Sequence, residues 1–471
     1  MAMGAHGLSR RTVLMMRVVL LMIVVFAGIG YLVPDVHHSL KSLTIVPSLS
    51  RLCPTPPSPP HPPTNQRPAV VNGLPTKRFR DNLRNDTYYI TGWASAGFTN
   101  AFMNFANMIY LGKLSDRVPI VPPFAPAAHI SKSAGIVPFG DIFDLDLLRK
   151  ELNMDILEWR DVKDLPSRYS TDPYATAEVD EIGCWTTTKE SSNWPAPATN
   201  TVQHIGLDIS YTKIPNFARM PDYEPFVMFP ELAALVYPRD PYIDPTKTKA
   251  LTKTSKGESL TPDTHLACFD SLYYVASGVR AYEWERSWSP GWNMVGKNLH
   301  FTQTMENLAH SYMVKAFGLT GNDDIPKFIA IHIRHGDFHG QCKPHSHTEV
   351  QDGNDCFPPL SSYGHRVDEI KEELLAKHNL SISSVIVMSD ETSDAFWNDV
   401  IAQGWVFVNH TAEATVEKYG EWYAPLLDTI IQSHAMGFVG TKSSTFSLVG
   451  ERRVQDWHGG VYRDVSIRDG H

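Results

Sequence analysis

The chain predicts an α/β architecture with a doubly wound parallel sheet, preceded by a membrane-anchoring helix and a proline-rich stalk. Three observations lead there. Short apolar strands alternate with helical segments through the C-terminal third, the pattern of a parallel sheet covered on both faces. The run FIAIHI, Phe328 to Ile333, ends among His332, Arg334, His335 and Asp337 instead of an ordinary turn, and ligands of such sheets bind beyond the carboxyl ends of the strands. Near the N-terminus an unbroken apolar run, Val18 to Val33, is followed by PSLSRLCPTPPSPPHPPTNQRP, Pro47 to Pro68.

Size and charge bound the reading. With 471 residues and 42% apolar content the chain buries a large core, and its length predicts more than one globular unit. A formal charge of -9 and a pI near 6.1 give no broad basic field, which excludes nucleic acid as a partner and requires any phosphate ligand to be held locally.

Arg10, Arg11 and Arg17 precede the apolar run, so the positive-inside tendency places everything after Val33 outside the cytosol. As a helix Val18 to Val33 covers about 24 Å, and Val13 to Met16 lengthen it enough to span a bilayer. A cleaved signal peptide is the competing reading, because Ala27, Gly28 and Gly30 are small; the apolar run exceeds the usual core of about 7 to 15 residues. The expected order is a cytosolic tail at 1–12, an anchor at 13–33 and an extended polyproline stalk at 34–85. The sequons at Asn85, Asn379 and Asn409 agree with a lumenal placement. Five cysteines would then meet oxidising conditions: Cys342 with Cys356 across a polar loop, Cys184 with Cys268 by elimination, and Cys53 unpaired or bridging two chains.

The globular part opens with a strand at Tyr88 to Thr91, a glycine-containing loop, a helix carrying Phe98, Phe102, Phe105 and Ile109 on one face, and a strand at Val118 to Val121. Residues 126–319 read only as mixed. Beyond them strands are expected at 328–333, 384–389, 405–408 and 437–440, with helices at 361–379, 392–403, 421–436 and from Ser444 onward.

Chemistry concentrates at the strand ends. The planar fork of Arg334 suits two phosphate oxygens, or else an internal ion pair to Asp337, which would then orient the guanidinium. His332 either donates to a phosphate or sugar hydroxyl or is a satisfied core histidine, and His335 reads as solvent-facing. Ser443, Ser444 and Thr445 open a helix beside Lys442, where unpaired N–H groups and hydroxyls make an anion site; ordinary N-capping would need only one of them. Asp390, directly after a strand, can accept from ribose or guanine, or cap the next helix. These groups describe a nucleotide diphosphate site, without the P-loop or the G-x-G-x-x-G pattern. Two metal readings are weak. Asp144 and Asp146 have the acid spacing of sugar transferases that hold a divalent ion, but they sit at a helix start; the cluster of His335, His339, Cys342, His345 and His347 matches no zinc spacing.

Three short motifs in order, Gly97-Phe98-Thr99-Asn100, His332 to Phe338 and Ser444-Thr445-Phe446-Ser447, together with Asp390, resemble the GDP-fucose protein O-fucosyltransferases over about residues 88 to 465. The resemblance implies a GT-B fold: two Rossmann-like doubly wound domains, 86–325 on the acceptor side and 326–471 for the nucleotide sugar, with a cleft between them and no required metal. It implies Arg334 on the diphosphate with His332 nearby, and Ser443, Ser444, Thr445 and Phe446 lining the nucleotide pocket. It also implies Asp390 on guanine or ribose, Asp337 within the same element, and Asn100 facing sugar and phosphate beside Gly97, Phe98 and Thr99. Some relatives carry a glutamate before the loop glycine or a glutamine after its asparagine; here those positions are Ala96 and Ala101, so no catalytic base transfers. The expected function is an inverting transfer of fucose from GDP-fucose to a protein or glycan hydroxyl, in a Golgi or endoplasmic reticulum membrane protein. A transferase of another nucleotide sugar and an inactive lumenal binding protein are the alternatives.

Overall fold

Apolar and β-branched runs that are too short to be helices pair laterally in the computed structural model, which describes residues 70–466 except 128, 167–175, 197, 240–243, 245–247, 321–322 and 342–356. Six of them form one wholly parallel sheet: Tyr89–Gly92 (β1), Val118–Val121 (β2), Leu157–Glu158 (β3), Asp180–Thr186 (β4), Leu207–Lys213 (β5) and Leu266–Phe269 (β6), in the order β3-β2-β1-β6-β4-β5. Five more form a second parallel sheet: Phe328–Ile333 (β7), Ser384–Ser389 (β8), Val406–Phe407 (β9), Gly437–Thr441 (β10) and Val461–Val465 (β11), ordered β9-β8-β7-β10-β11. In the second sheet β7 is central, and its end at His332 lies in register with Met388 on one side and Gly440 on the other.

Helices frame the strand ends. Phe98–Leu114 (α1) starts after Gly97, which offers no side-chain cap, so its first-turn N–H groups lack a capping side chain. It ends at Ser115, whose hydroxyl donates to the Leu111 carbonyl at 2.7 Å. Leu360–His378 (α2), Asp394–Ala402 (α3) and Tyr423–Ser433 (α4) follow, and Thr445–His458 (α5) runs from a Ser444 cap to Gly459 in the left-handed region. One continuous apolar core contains Ile90, Phe102 and Phe143 from the first sheet's side and Ala330, Ile386 and Val454 from the second's.

Several expectations are corrected. Phe98 opens α1 as its helical face predicted, and Thr99 and Asn100 belong to the same first turn rather than to a loop before it. Residues 70–85, assigned to the stalk, pack on the first sheet instead: Phe79 and Leu83 are buried, and Asn82 donates to the carbonyls of Asp161 and Val162. The segment read only as mixed holds β3 to β6, and the edge strand β11 was not foreseen. Asp144 is the N-cap of a helix, Leu145–Leu152, accepting from the Leu147 N–H at 2.9 Å, as its position at a helix start implies. Cys184 and Cys268 form a disulfide between β4 and β6, with Cα atoms 4.8 Å apart. Cys53, Cys342 and Cys356 lie outside the described residues, as do the anchor 13–33 and most of the stalk. No helix of the described residues is long and apolar enough to cross a membrane.

Candidate functional site

Hydrogen bonds fix the end of β7 before any ligand chemistry is considered. The Arg334 N–H donates to Thr441 Oγ1 at 2.9 Å, and the Thr441 hydroxyl donates to the His332 carbonyl at 3.1 Å, so the tips of β7 and β10 are stitched together. Tyr363 of α2 supports the same hydroxyl at 3.1 Å. The Arg334 side chain is held separately, by two acids and a histidine. Its Nε and Nη2 meet Asp337 Oδ1 at 2.9 and 2.8 Å, its Nη1 meets Asp390 Oδ2 at 2.9 Å, and its Nη2 lies 3.0 Å from His129 Nε2. The ion pair to Asp337 read from the sequence is therefore present, and Asp390 is a second acid on the same guanidinium. The group is not sealed: the Arg334 side chain is 19% exposed and that of Asp337 51%.

Asp390 does not cap the next helix, whose N-cap is Ser393; its other oxygen accepts from the His335 N–H at 2.8 Å. This approach needs glycine at 336, because a Cβ there would stand 2.3 Å from Asp390 Oδ2. His335 is not solvent-facing as expected. Its ring packs on Phe357 and Phe396, and Nδ1 lies 2.9 Å from Glu391 Oε2.

His332 is buried, with its ring 4.6 Å from that of Phe446 and Nδ1 2.7 Å from Ser447 Oγ. Ser447 Oγ also accepts from the Thr441 N–H at 3.0 Å. Burial first, and the Arg334 charge second, push His332 down to about 3, so it is neutral near pH 7. The core-histidine reading thus holds for its location.

Two helix tips from different sheets meet beside this cluster. Thr99 Oγ1 in the first turn of α1 is 2.9 Å from Thr445 Oγ1 in the first turn of α5. Ser444 acts as a cap, accepting from the Ser447 N–H, which is the ordinary role that the sequence left open. Ser443 is exposed with φ of 68°. Asn100 carries a buried Oδ1 with no hydrogen-bond partner among the described residues, and Gly97 lies against His129, whose Cδ2 would be 3.6 Å from a Cβ placed there. Phe98 departs from expectation: it is buried with its ring 4.9 Å from Phe124, so it serves the core.

The helices are held in this pose from behind. Arg453 of α5 is fully buried, with its guanidinium carbon 5.0 Å from the Phe102 ring of α1 and 4.6 Å from that of Phe301. Burial lowers it to about 9, and Nη1 donates to Thr429 Oγ1 at 3.1 Å.

The sequence reading missed His129 and its loop. Residues 129–135 lie at the second sheet's side, where the Ser131 N–H donates to Glu421 Oε1 at 2.9 Å and Trp422 Nε1 donates to the Gly135 carbonyl at 2.9 Å. Among the described residues no group of three or more histidine, cysteine or acidic side chains is arranged to hold a metal ion. The arrangement offers one arginine, already shared by two carboxylates, a neutral buried histidine and two convergent helix N-termini, donors that a multiply charged anion meets once it displaces a carboxylate from the guanidinium.

The family model described as GDP-fucose protein O-fucosyltransferase matches residues 89–455. No curated protein matches the chain. Among solved structures, POFUT1 in complex with GDP-fucose aligns at a TM-score of 0.46 and 15% identity, covering 81% of this chain and 98% of that one. The fucosyltransferase NodZ from Bradyrhizobium aligns at 0.39 and 10% identity, over 82% and 97%.

Proposed function

Since this chain belongs to the GDP-fucose protein O-fucosyltransferase family and is a glycosyltransferase, we propose that it transfers fucose from GDP-fucose to a hydroxyl of a protein or glycan, with inversion, on a GT-B scaffold. The observation that carries the reading is the convergence of Arg334 with the uncapped tip of α1 and the tip of α5, pinned to each other through Thr99 and Thr445.

In this reading the diphosphate exchanges places with Asp337 on the guanidinium, while Asp390 keeps the other edge of the fork aligned. Arg334 and the helix N-termini then stabilise the charge that grows on the leaving diphosphate as the anomeric carbon becomes oxocarbenium-like. The acceptor oxygen attacks the opposite face, the bond from C1 to the phosphate oxygen breaks, its electron pair leaves with GDP, and the acceptor proton passes to solvent or to the departing phosphate. Cationic side chains and backbone N–H groups thereby do the work that a divalent ion does in other sugar transferases, and no metal is required.

We place the enzyme in the Golgi or endoplasmic reticulum as a type II membrane protein with the 13–33 segment as anchor. The Cys184–Cys268 bridge and the exposure of Asn85, Asn379 and Asn409 support an oxidising, lumenal setting. The test is a donor panel in which GDP or UDP release is followed from GDP-fucose, GDP-mannose and UDP sugars, with and without EDTA. GDP release from GDP-fucose that survives EDTA is expected; release only from another donor replaces the assignment, and binding without release marks a receptor.

A further inference from the structure

His129 comes from the first sheet's side of the molecule, yet its Nε2 lies 3.0 Å from Arg334 Nη2 and 3.5 Å from Asp337 Oδ2. The imidazole sits against Gly97 at the uncapped start of α1, and its side chain is 49% exposed. Two electrostatic facts surround it. Arg334 is shared by two carboxylates, so the cluster of Arg334, Asp337 and Asp390 carries a formal surplus of negative charge before an anion arrives. In the 3.0 Å contact to the guanidinium N–H, Nε2 is the acceptor.

Resting on the transferase reading above, we propose that His129 is a third ligand of the donor diphosphate: it takes up a proton as the nucleotide sugar binds, and turns Nε2–H onto the phosphate that Arg334 grips. When the guanidinium moves to phosphate oxygens, the His129 lone pair loses its donor and faces an anion and Asp337; protonation turns both repulsions into hydrogen bonds. The proton comes from solvent and returns there when GDP leaves. The same electrostatics exclude His129 as the base for the acceptor, because an imidazole flanked by a diphosphate and a carboxylate is held in its cationic form. The charged groups around it are Arg334 and Asp337 in contact, Asp390, His335 and Glu391 behind the guanidinium, Lys132 along its own loop, and Glu421, which accepts from Ser131 of that loop.

The test is calorimetric titration of GDP-fucose into the wild type, His129→Gln and His129→Lys near pH 6 and near pH 8, either side of the usual imidazole value of about 6.5. The diphosphate of GDP-fucose is esterified at both ends and does not titrate there. Wild-type affinity is expected to fall roughly 10-fold between the two pH values, with proton uptake approaching one per site in buffers of different ionisation enthalpy. His129→Gln should bind about 10-fold more weakly near pH 6 and lose the pH dependence, and His129→Lys should bind near pH 8 as the wild type does near pH 6. Unchanged affinity in His129→Gln, a pH dependence that survives it, or normal affinity with slowed GDP release would each overturn the proposal, the last by pointing to a base. A wild type that binds no nucleotide sugar would sink the transferase reading itself, an outcome separate from any effect at position 129.

Discussion

Thr99 Oγ1 and Thr445 Oγ1 share one hydrogen bond of 2.9 Å, although the two residues open helices that flank different sheets. This contact sets the separation of the two N-termini and therefore the size of the anion it admits. Thr445→Val and Thr99→Val should each cost about 1 kcal/mol of stability and weaken GDP binding several-fold, and the double variant should lose little more than either single one. Chemical unfolding and GDP titration of the three proteins measure this, and fully additive losses would mean that the hydroxyls act separately.

Arg334→Ala removes the guanidinium from a half-open cluster whose backbone is secured independently by Thr441. GDP release from GDP-fucose should fall by about 100-fold or more, while the melting temperature changes little. Arg334→Lys should recover only a small part, because a point charge cannot grip two oxygens while holding Asp390. Retained turnover in the purified alanine variant would remove Arg334 from the chemistry.

Cys184 and Cys268 close a loop spanning 84 residues between neighbouring strands. Chain entropy assigns such a bridge about 4 to 5 kcal/mol, with about 2 to 5 found when native bridges are removed. The unfolding free energy of the Cys184→Ala/Cys268→Ala variant, from denaturant titration with and without reductant, should drop by an amount in this range and become insensitive to reductant.

Two buried groups shape stability against pH in opposite directions. His332 is held down to about 3 by burial, so between about 6.5 and 3 the unfolded chain takes up a proton that the native state refuses, and stability falls on acidification. Glu451 is raised to about 8 by burial and by the nearby Asp464 charge; between the usual carboxylate range and about 8 the native state keeps a proton that the unfolded chain has released, and stability falls as pH rises. Each contributes a slope of at most about 1.4 kcal/mol per pH unit. Glu451→Gln should flatten the alkaline side of the unfolding profile and His332→Asn the acid side.

The second sheet was legible because β7, β8 and β10 are each a run of mostly apolar residues separated by helices, so length and periodicity point the same way. Of the first sheet, β1 and β2 were legible and β3 to β6 were not. Asp180, Glu181, Asp208 and Ser210 interrupt β4 and β5, and β3 has two residues; their place depends on partners elsewhere, as Asp180 shows in meeting the buried Lys163 at 2.8 Å. At the site, Arg334, Asp337 and Asp390 were readable because strand ends of one sheet must converge. Phe98 was misread since adjacency in a motif does not put side chains on one side. His129 lay beyond reach, 205 positions from the arginine it touches, with no local pattern marking it.

The uninterrupted interior running from Phe102 across Arg453 to Val454 has a mechanical consequence. Swinging the two sheets apart like jaws would strip aromatic rings from a guanidinium that no water reaches, so wide opening carries a steep energetic cost.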